Sequence, residues 1–214
     1  GKRQSRPDRC KKDPDIISRY QDTGDRFCCF IRITGSKSIE KGSCMQYIAN
    51  AKEAKKIDGI SIEQIGIPSL VLMERAALAV AKRVEELAKK EDSVLIICGV
   101  GNNGADGVAA GRMLSEHGYR VTFLLLGNMQ KASEEMRVQL AIVKNLSLSV
   151  RTTDDFLKEE LEQYTFVIDA IFGIGLSREI TGKYAQWIQA VNAMQKPVVS
   201  VDVPSGIDAT NGQV

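Results

Sequence analysis

The chain holds a single histidine, one tryptophan and five cysteines in 214 residues. That histidine, His117, lies just ahead of Gly118 and reads as a surface residue at a helix end, which disfavours a Ser/His/Asp or Cys/His catalytic set built around it. The cysteines are odd in number and show no metal-ligand spacing, which argues against a disulfide framework or a zinc site. A reduced, cytoplasmic protein is the expectation. Cys98 lies inside an apolar run and is expected to be a buried, inert thiol. No apolar run is long enough to cross a bilayer, and the polar, basic N-terminus has no apolar core of the secretory type, so a membrane is not an expected partner. The P-loop pattern G-x-x-x-x-G-K-[ST] is also missing, which disfavours a P-loop enzyme.

Charge is unevenly placed. Residues 1–44 carry 11 Lys and Arg against 6 Asp and Glu, out of totals of 29 and 27, so the remaining chain is slightly acidic. A basic nucleic-acid face is therefore not supported, and nucleic acid is not an expected partner. Cys10, Cys28, Cys29 and Cys44 lie in this same segment. Apart from a short strand possible in "RFCCFIRI", it has no sustained periodicity and reads as a disordered leader or tail over residues 1–44.

From Met45 the pattern sharpens. "AKEAKKIDGISIEQIG" predicts a helix, and Ser69 is a plausible N-cap for a second helix running through "LVLMERAALAVAKRVEELAKK". Met73, Ala77, Val80, Val84 and Leu87 form a helical stripe that reads as core or as the interface of a homodimer. Strands and helices then alternate. The strands are "SVLIICG", "RVTFLLLG", "LSVR", "TFVIDAIFG" and "KPVVSVDVPSG", and the helices cover 104–117, 131–145, a stretch from Asp154, and "YAQWIQAVNAM". The strands are unbroken apolar runs, so both faces should be covered. Strand–helix units with short links imply right-handed crossovers and a parallel sheet.

Ligands of such sheets bind beyond the carboxyl ends of the strands. The first strand ends in Gly99, Gly101, Asn102, Asn103, Gly104 and Asp106; the fourth in Asp169, Phe172, Gly173, Gly175 and Ser177; the fifth in Asp202, Pro204, Ser205 and Gly206. Gly99, Gly101 and Gly104 fit G-x-G-x-x-G between a strand and a helix, where backbone N–H groups can meet a phosphate. The second strand ends "LLLGNMQ" without an acid for a ribose hydroxyl, which disfavours a standard hydride-transfer dehydrogenase. Asp169 and Asp202 end apolar strands, where an unpaired carboxylate is costly, so each calls for an ion, a ligand or a structural partner. Asp106 equally suits the positive end of a helix, and Asn102 and Asn103 equally suit a turn.

The segments "LMERAA", "GVGNNGADGVAAGRML", "VIDAIFGIGLSREITGKYA" and "SVDVPSGIDATNG" together resemble the NAD(P)HX epimerase family, over residues 45–214 and in the family's order. The resemblance implies a three-layer α/β/α Rossmann-like parallel sheet. It implies epimerisation of hydrated nicotinamide cofactors, NADHX and NADPHX, which carry a hydroxyl at C6 of the ring: the R epimer becomes S, which a dehydratase can restore to the reduced cofactor. A potassium ion is implied as well, with Asn103, Asp169 and Ser205 among its ligands. The cofactor-binding positions implied are Asn102, Asn103, Gly104, Ala105, Asp106, Gly173, Ile174, Gly175, Leu176, Ser177, Arg178, Glu179 and Asp202. In some relatives the module is the N-terminal half of a bifunctional repair enzyme, so a fused ADP- or ATP-dependent dehydratase is a possible partner beyond this chain. The family's domain continues past "GIDATNG", so 45–214 is expected to be that domain cut short, with the edge of its last strand uncovered.

The chemistry follows from the ring. Its nitrogen lone pair can expel the C6 hydroxyl once an acid protonates it, and water can add to the other face as a base takes its proton. One carboxylic acid in a dry pocket can serve both steps, and Asp202 is the candidate catalytic residue. The alternative is a non-catalytic nucleotide- or protein-binding module of the same fold. The intact set Asn103, Asp169, Asp202 and Ser205 favours the enzyme.

Overall fold

The computed structural model describes residues 30–32, 51–153, 158–176, 179–209 and 212. The rest of the expected leader, residues Ser177 and Arg178, and the start of the stretch at Asp154 lie outside the described residues. In chain order the elements are β1 (Phe30–Arg32), α1 (Ala51–Glu63), α2 (Ser69–Leu87), β2 (Ser93–Cys98), α3 (Asn102–Glu116), β3 (Arg120–Leu125), α4 (Glu134–Asn145), β4 (Ser149–Thr152), β5 (Phe166–Ala170), α5 (Gly182–Ala193) and β6 (Val198–Ser200). Short 3-10 turns cover Met129–Lys131 and Lys158–Gln163.

The strands join in the order β1-β6-β5-β2-β3-β4. The five from β2 to β6 are parallel, as the strand–helix units imply, although β4 is a polar, mostly exposed strand and not the covered apolar run expected. The sixth, β1, pairs antiparallel with β6, Phe30 opposite Ser200 and Arg32 opposite Val198. Three residues of the segment set aside as leader thus extend the sheet. They also correct the expectation of an uncovered last strand, because their backbone groups satisfy the outer edge of β6.

Alternation within the buried strands builds two cores. Val94, Ile96 and Cys98 of β2 join Met73, Ala77, Val80 and Val84 of α2, the inner face of α3, and Met136 and Val143 of α4. Leu95 and Ile97 point the other way, with Val167, Leu161, Trp187 and Val191. Helices therefore cover both faces, giving the three-layer α/β/α arrangement. The α2 stripe is core except for Leu87, which is 36% exposed.

Local chemistry sets the helix ends. Ser133 caps α4 by accepting from the Met136 N–H, with Glu134 and Glu135 in the first turn. At the end of α3, Gly118 takes φ +87° and the Tyr119 N–H reaches the Leu114 carbonyl, a left-handed stop suited to glycine. Ser69 is not the cap expected for α2: Pro68 precedes the helix, and the Ser69 hydroxyl donates instead to Glu135 at 2.8 Å. Helix α3 begins at Asn102, two residues before the expected start, so both asparagines are helical rather than turn residues.

Three helices on one face are cross-linked by charge. Arg112 of α3 donates to both oxygens of Glu74 of α2, at 2.7 and 2.6 Å, and the buried Gln139 of α4 donates to Glu74 at 2.9 Å. One guanidinium nitrogen of Arg112 thus bridges both carboxylate oxygens of Glu74 and ties α3 to α2.

Gly104, Gly107 and Gly111 recur on the inner face of α3. A Cβ at Gly107 would overlap the Cβ of Ala170, and one at Gly111 would strike Ile96 and Phe123. Gly107→Ala is expected to destabilise the fold by about 1–3 kcal/mol through overpacking, more than the roughly 1 kcal/mol that alanine returns in helix propensity. Urea unfolding of parent and variant measures the difference, and a variant with an unchanged or higher midpoint would show that α3 has room to move off the sheet.

Candidate functional site

Strand order fixes where a site can form. From central β2 the chain winds outward through β3 and β4, then crosses back to β5 on the other side of β2. The segments leaving β2 and β5 consequently run to opposite faces, and a crevice opens between them at the carboxyl edge. Asn103 enters it from α3, Phe172 to Leu176 from the segment after β5, and Asp202 and Ser205 from the segment after β6.

Asp169 anchors that edge. Its Oδ1 accepts from the Ser205 hydroxyl at 2.6 Å and the Ile171 N–H at 3.2 Å; its Oδ2 accepts from the Ser205 N–H at 2.8 Å and the Ser200 hydroxyl at 3.3 Å. Ser205 in turn accepts from the Phe172 N–H at 2.9 Å. Burial pushes the Asp169 carboxyl upward, while the bonds from Ser205, Ile171 and Ser200 oppose the shift. The same burial, with Asp169 beside it, raises the Cys98 thiol, which is fully buried as the sequence implied.

Next to this anchor, two side chains converge on Gly173. A Cβ built there would lie 2.5 Å from Asp202 Oδ2 and 3.1 Å from Asn103 Oδ1. Asp202 Oδ2 also accepts from the Ile174 N–H at 2.7 Å. Glycine is needed at 173 because any side chain would fill the space these groups share. Asn103 is the outlier of the region: its amide nitrogen and oxygen are both buried, and neither has a hydrogen-bond partner. A buried, unpaired amide is costly, so this one is placed for a partner from outside the protein.

Asp106 follows Asn103 by three residues and so lies on the same side of α3. Burial, then Asp202, Asp58 and Glu135, push its carboxyl up from 3.8 to about 8. Burial also raises Asp202, opposed by the Ile174 amide and reinforced by Asp58. Gly99 and Gly104 serve the backbone: a Cβ at Gly104 would collide with the Gly99 carbonyl, and one at Gly99 with the Ile171 carbonyl. These close approaches hold the first turn of α3 against β2 and β5.

The structure thus brings Asn103, Gly173, Ile174, Asp106 and Asp202 to one crevice, with Asp169 and Ser205 behind it. Asn102, Gly175 and Glu179 are exposed at its margin, and Leu176 closes a tight turn by donating its N–H to Gly173. Ala105 is fully buried in the core, so only its backbone can face a ligand. Ser177 and Arg178 lie outside the described residues. Sequence reasoning missed Asp58 of α1, Glu135 of α4 and Ser200 of β6. Asp58 and Glu135 sit on helices remote in sequence from the strand-end loops, and no local pattern marks them. Ser200 carried a signal, as a hydroxyl inside an apolar strand two residues before Asp202.

The sequence profile of the family described as YjeF-related protein N-terminus matches residues 69–214. A protein of Weissella koreensis named NAD(P)H-hydrate epimerase is 45% identical over 168 residues, covering 77% of this chain and 72% of its own length. One of the same name from Oenococcus oeni is 41% identical over 166 residues, 77% of each chain. The chain belongs to the NAD(P)H-hydrate epimerase family. The crystal structure of yeast ynu0, YNL200c, shares the fold with a TM-score of 0.72 at 26% identity, over 79% of this chain and 75% of that one. The family's match spans the three strand-end segments that meet in the crevice.

A carboxyl held at about 8 has a consequence for stability. The folded protein keeps a proton on Asp106 that the unfolded chain releases above its ordinary value of 3.8, so folding stability falls as pH rises through the interval between them. Asp106→Asn removes this contribution. Between about pH 5 and 8 the variant should gain on the order of 1 kcal/mol or more relative to the parent, read from urea midpoints at each pH. A constant difference across the range would mean that Asp106 ionises normally in the folded protein.

Proposed function

We propose that this chain interconverts the R and S epimers of hydrated NADH and NADPH, as an isomerase of nicotinamide-cofactor repair. The observation that carries the reading is the convergence of Asn103 and Asp202 on the space above Gly173, within a chain of the NAD(P)H-hydrate epimerase family. The hydrated ring has a hydroxyl to be protonated and a water to be deprotonated. Asp202, part-buried and oriented by the Ile174 N–H, is the acid/base group offered to it. The start of α3, with free N–H groups and glycines that allow close approach, suits the dinucleotide phosphates. The remaining cofactor contacts fall to Asn102 through Asp106 and to the segment from Gly173 to Glu179.

A potassium ion fits the donors present. Asn103 offers an amide oxygen with no protein partner, and Asp169 is one carboxylate among neutral oxygens, a set suited to a hard monovalent cation. Asn103, Asp169 and Ser205 are the residues that would hold it. The Ser205 and Ser200 hydroxyls now satisfy Asp169, and each can turn its hydrogen elsewhere. A bound ion would supply positive charge beside the buried Asp169, shared by residues of the three segments. The S epimer formed here is the form a dehydratase consumes, whether on a fused domain or on a separate chain.

Two measurements test these assignments. Chromatography of R-NADHX incubated with the protein should show conversion to S above the uncatalysed rate, and Asp202→Asn should slow it on the order of 10²-fold. A parent without activity that still binds the dinucleotide would make the chain a binding module instead. For the ion, Asn103→Ala removes an amide that is unpaired in its absence, so the urea midpoint without potassium should stay within about 1 kcal/mol of the parent. The rise in melting temperature on adding potassium should vanish in that variant. A normal potassium response would remove Asn103 from the ligand set.

A further inference from the structure

Epimerisation at C6 sets a requirement that one carboxylate meets poorly. The two epimers carry their hydroxyl on opposite faces of the ring. In each direction the departing oxygen needs a proton on one face, and the incoming water must lose one on the other. A single side chain on one wall of a crevice reaches only one face of a ring held in place.

We propose that Asp106 and Asp202 act as a two-carboxylate acid–base pair, one serving each face of the hydrated ring and exchanging roles with the direction of reaction. The proposal rests on the epimerase reading above. Its geometric basis is the placement of the two acids on different elements around one space. Asp202 comes from the segment after β6 and reaches toward Gly173, where its Oδ2 would lie 2.5 Å from a Cβ. Asn103 faces that same point from α3, and Asp106 is one turn further along the same side of the helix. Among the described residues no hydrogen-bond donor or cation pairs with the Asp106 side chain.

In one direction the step balances as follows. Protonated Asp106 gives its proton to the C6 hydroxyl, the C6–O bond breaks, and its electron pair leaves with water. The ring nitrogen lone pair becomes a C=N bond, leaving a cationic ring. Water adds to the opposite face, the electron pair returns to nitrogen, and ionised Asp202 takes one proton from the added water, leaving the new hydroxyl. The proton returns from Asp202 to Asp106 through solvent, and neither charge nor oxidation state changes overall.

The surroundings divide the two roles at neutral pH. The charged groups facing Asp106 are Asp202, Asp58 of α1 and Glu135 of α4, all acids, and with burial they hold its proton to about 8. Burial raises the Asp202 carboxyl as well and Asp58 adds to it, but Asp202 receives the Ile174 N–H, which opposes the shift and which Asp106 lacks. Asp106 is thus the member that holds its proton, and Asp202, with its amide donor, the member placed to act as base, as two carboxyls in unlike surroundings divide labour.

The test follows R-to-S conversion of hydrated NADH by the full chain over about pH 5 to 9, for the parent, Asp106→Asn and Asp202→Asn. Binding of the hydrated dinucleotide is measured separately by calorimetry, and folding by urea midpoint. The pair predicts a two-limbed profile for kcat in the parent and a loss on the order of 10²-fold in kcat for each variant. Dissociation constants should change little, and Asp106→Asn should lack the alkaline limb. Normal kcat in Asp106→Asn, or a raised KM with kcat unchanged, would make Asp106 a binding contact and overturn the pair. If Asp106→Asn fails to fold, the parent profile decides alone, and a single limb overturns the pair. A parent that converts neither epimer overturns the epimerase reading itself, and the pair with it.

Discussion

A buried carboxylate with four donors holds the carboxyl edge of the sheet together. Asp169 ends β5, and its oxygens gather the Ile171 amide, the Ser200 hydroxyl of β6, and the amide and hydroxyl of Ser205. Each bond is modest alone, but a charge in that position without them would be far costlier. The need to satisfy Asp169 therefore dictates the path of two segments. The chain after β6 must bend back to deliver Ser205, and the chain after β5 must turn at once so that Ile171 and Phe172 present their amides. Asp202 and Gly173 lie on those two paths. Their meeting is a by-product of satisfying the buried charge.

The fold was largely legible because the elements announce themselves. Four of the five parallel strands are short apolar runs bounded by glycine or polar residues, and β2, β3 and β5 sit where the runs do; β4, Ser149–Thr152, is polar and mostly exposed. The helices were readable from their stripes, with errors at their ends. Ser69 looks like a cap by type, yet its hydroxyl is used by Glu135, a tertiary contact that no local rule contains. Helix α3 starts at Asn102 because Gly101 is extended and supplies the first turn without a side-chain cap. Strand β1 was legible as a short strand within "RFCCFIRI", but its place in the sheet comes from pairing with β6, far off in sequence.

The site was legible where chemistry is concentrated in loops. Asparagines, aspartates and glycines after three strand ends are hard to account for by structure alone, and topology places them together. What the sequence concealed was the electrostatic setting. Asp58 and Glu135 read as ordinary charges on amphipathic helices, although both act on Asp106 across the crevice. Likewise nothing in the string "GNNGADG" separates Asn102, which is exposed, from Asn103, whose polar atoms are buried and unpaired. That difference arises from which side of the first helical turn faces Gly173.

The three glycines of α3 carry a further implication. Because Gly104, Gly107 and Gly111 carry no side chain, the α3 backbone closes directly on the Gly99 carbonyl, the Ala170 Cβ and the side chains of Ile96 and Phe123. Most helices ride on a cushion of leucines and valines that can shift rotamers to absorb small changes. At these three positions α3 contributes no side chain that could yield, so a shift of Ile96 or Phe123 presses on the helix backbone that carries Asn103 and Asp106. The core of this protein is in effect the optical bench of its site, and substitutions far from any ligand would register first as misalignment and only afterwards as loss of stability.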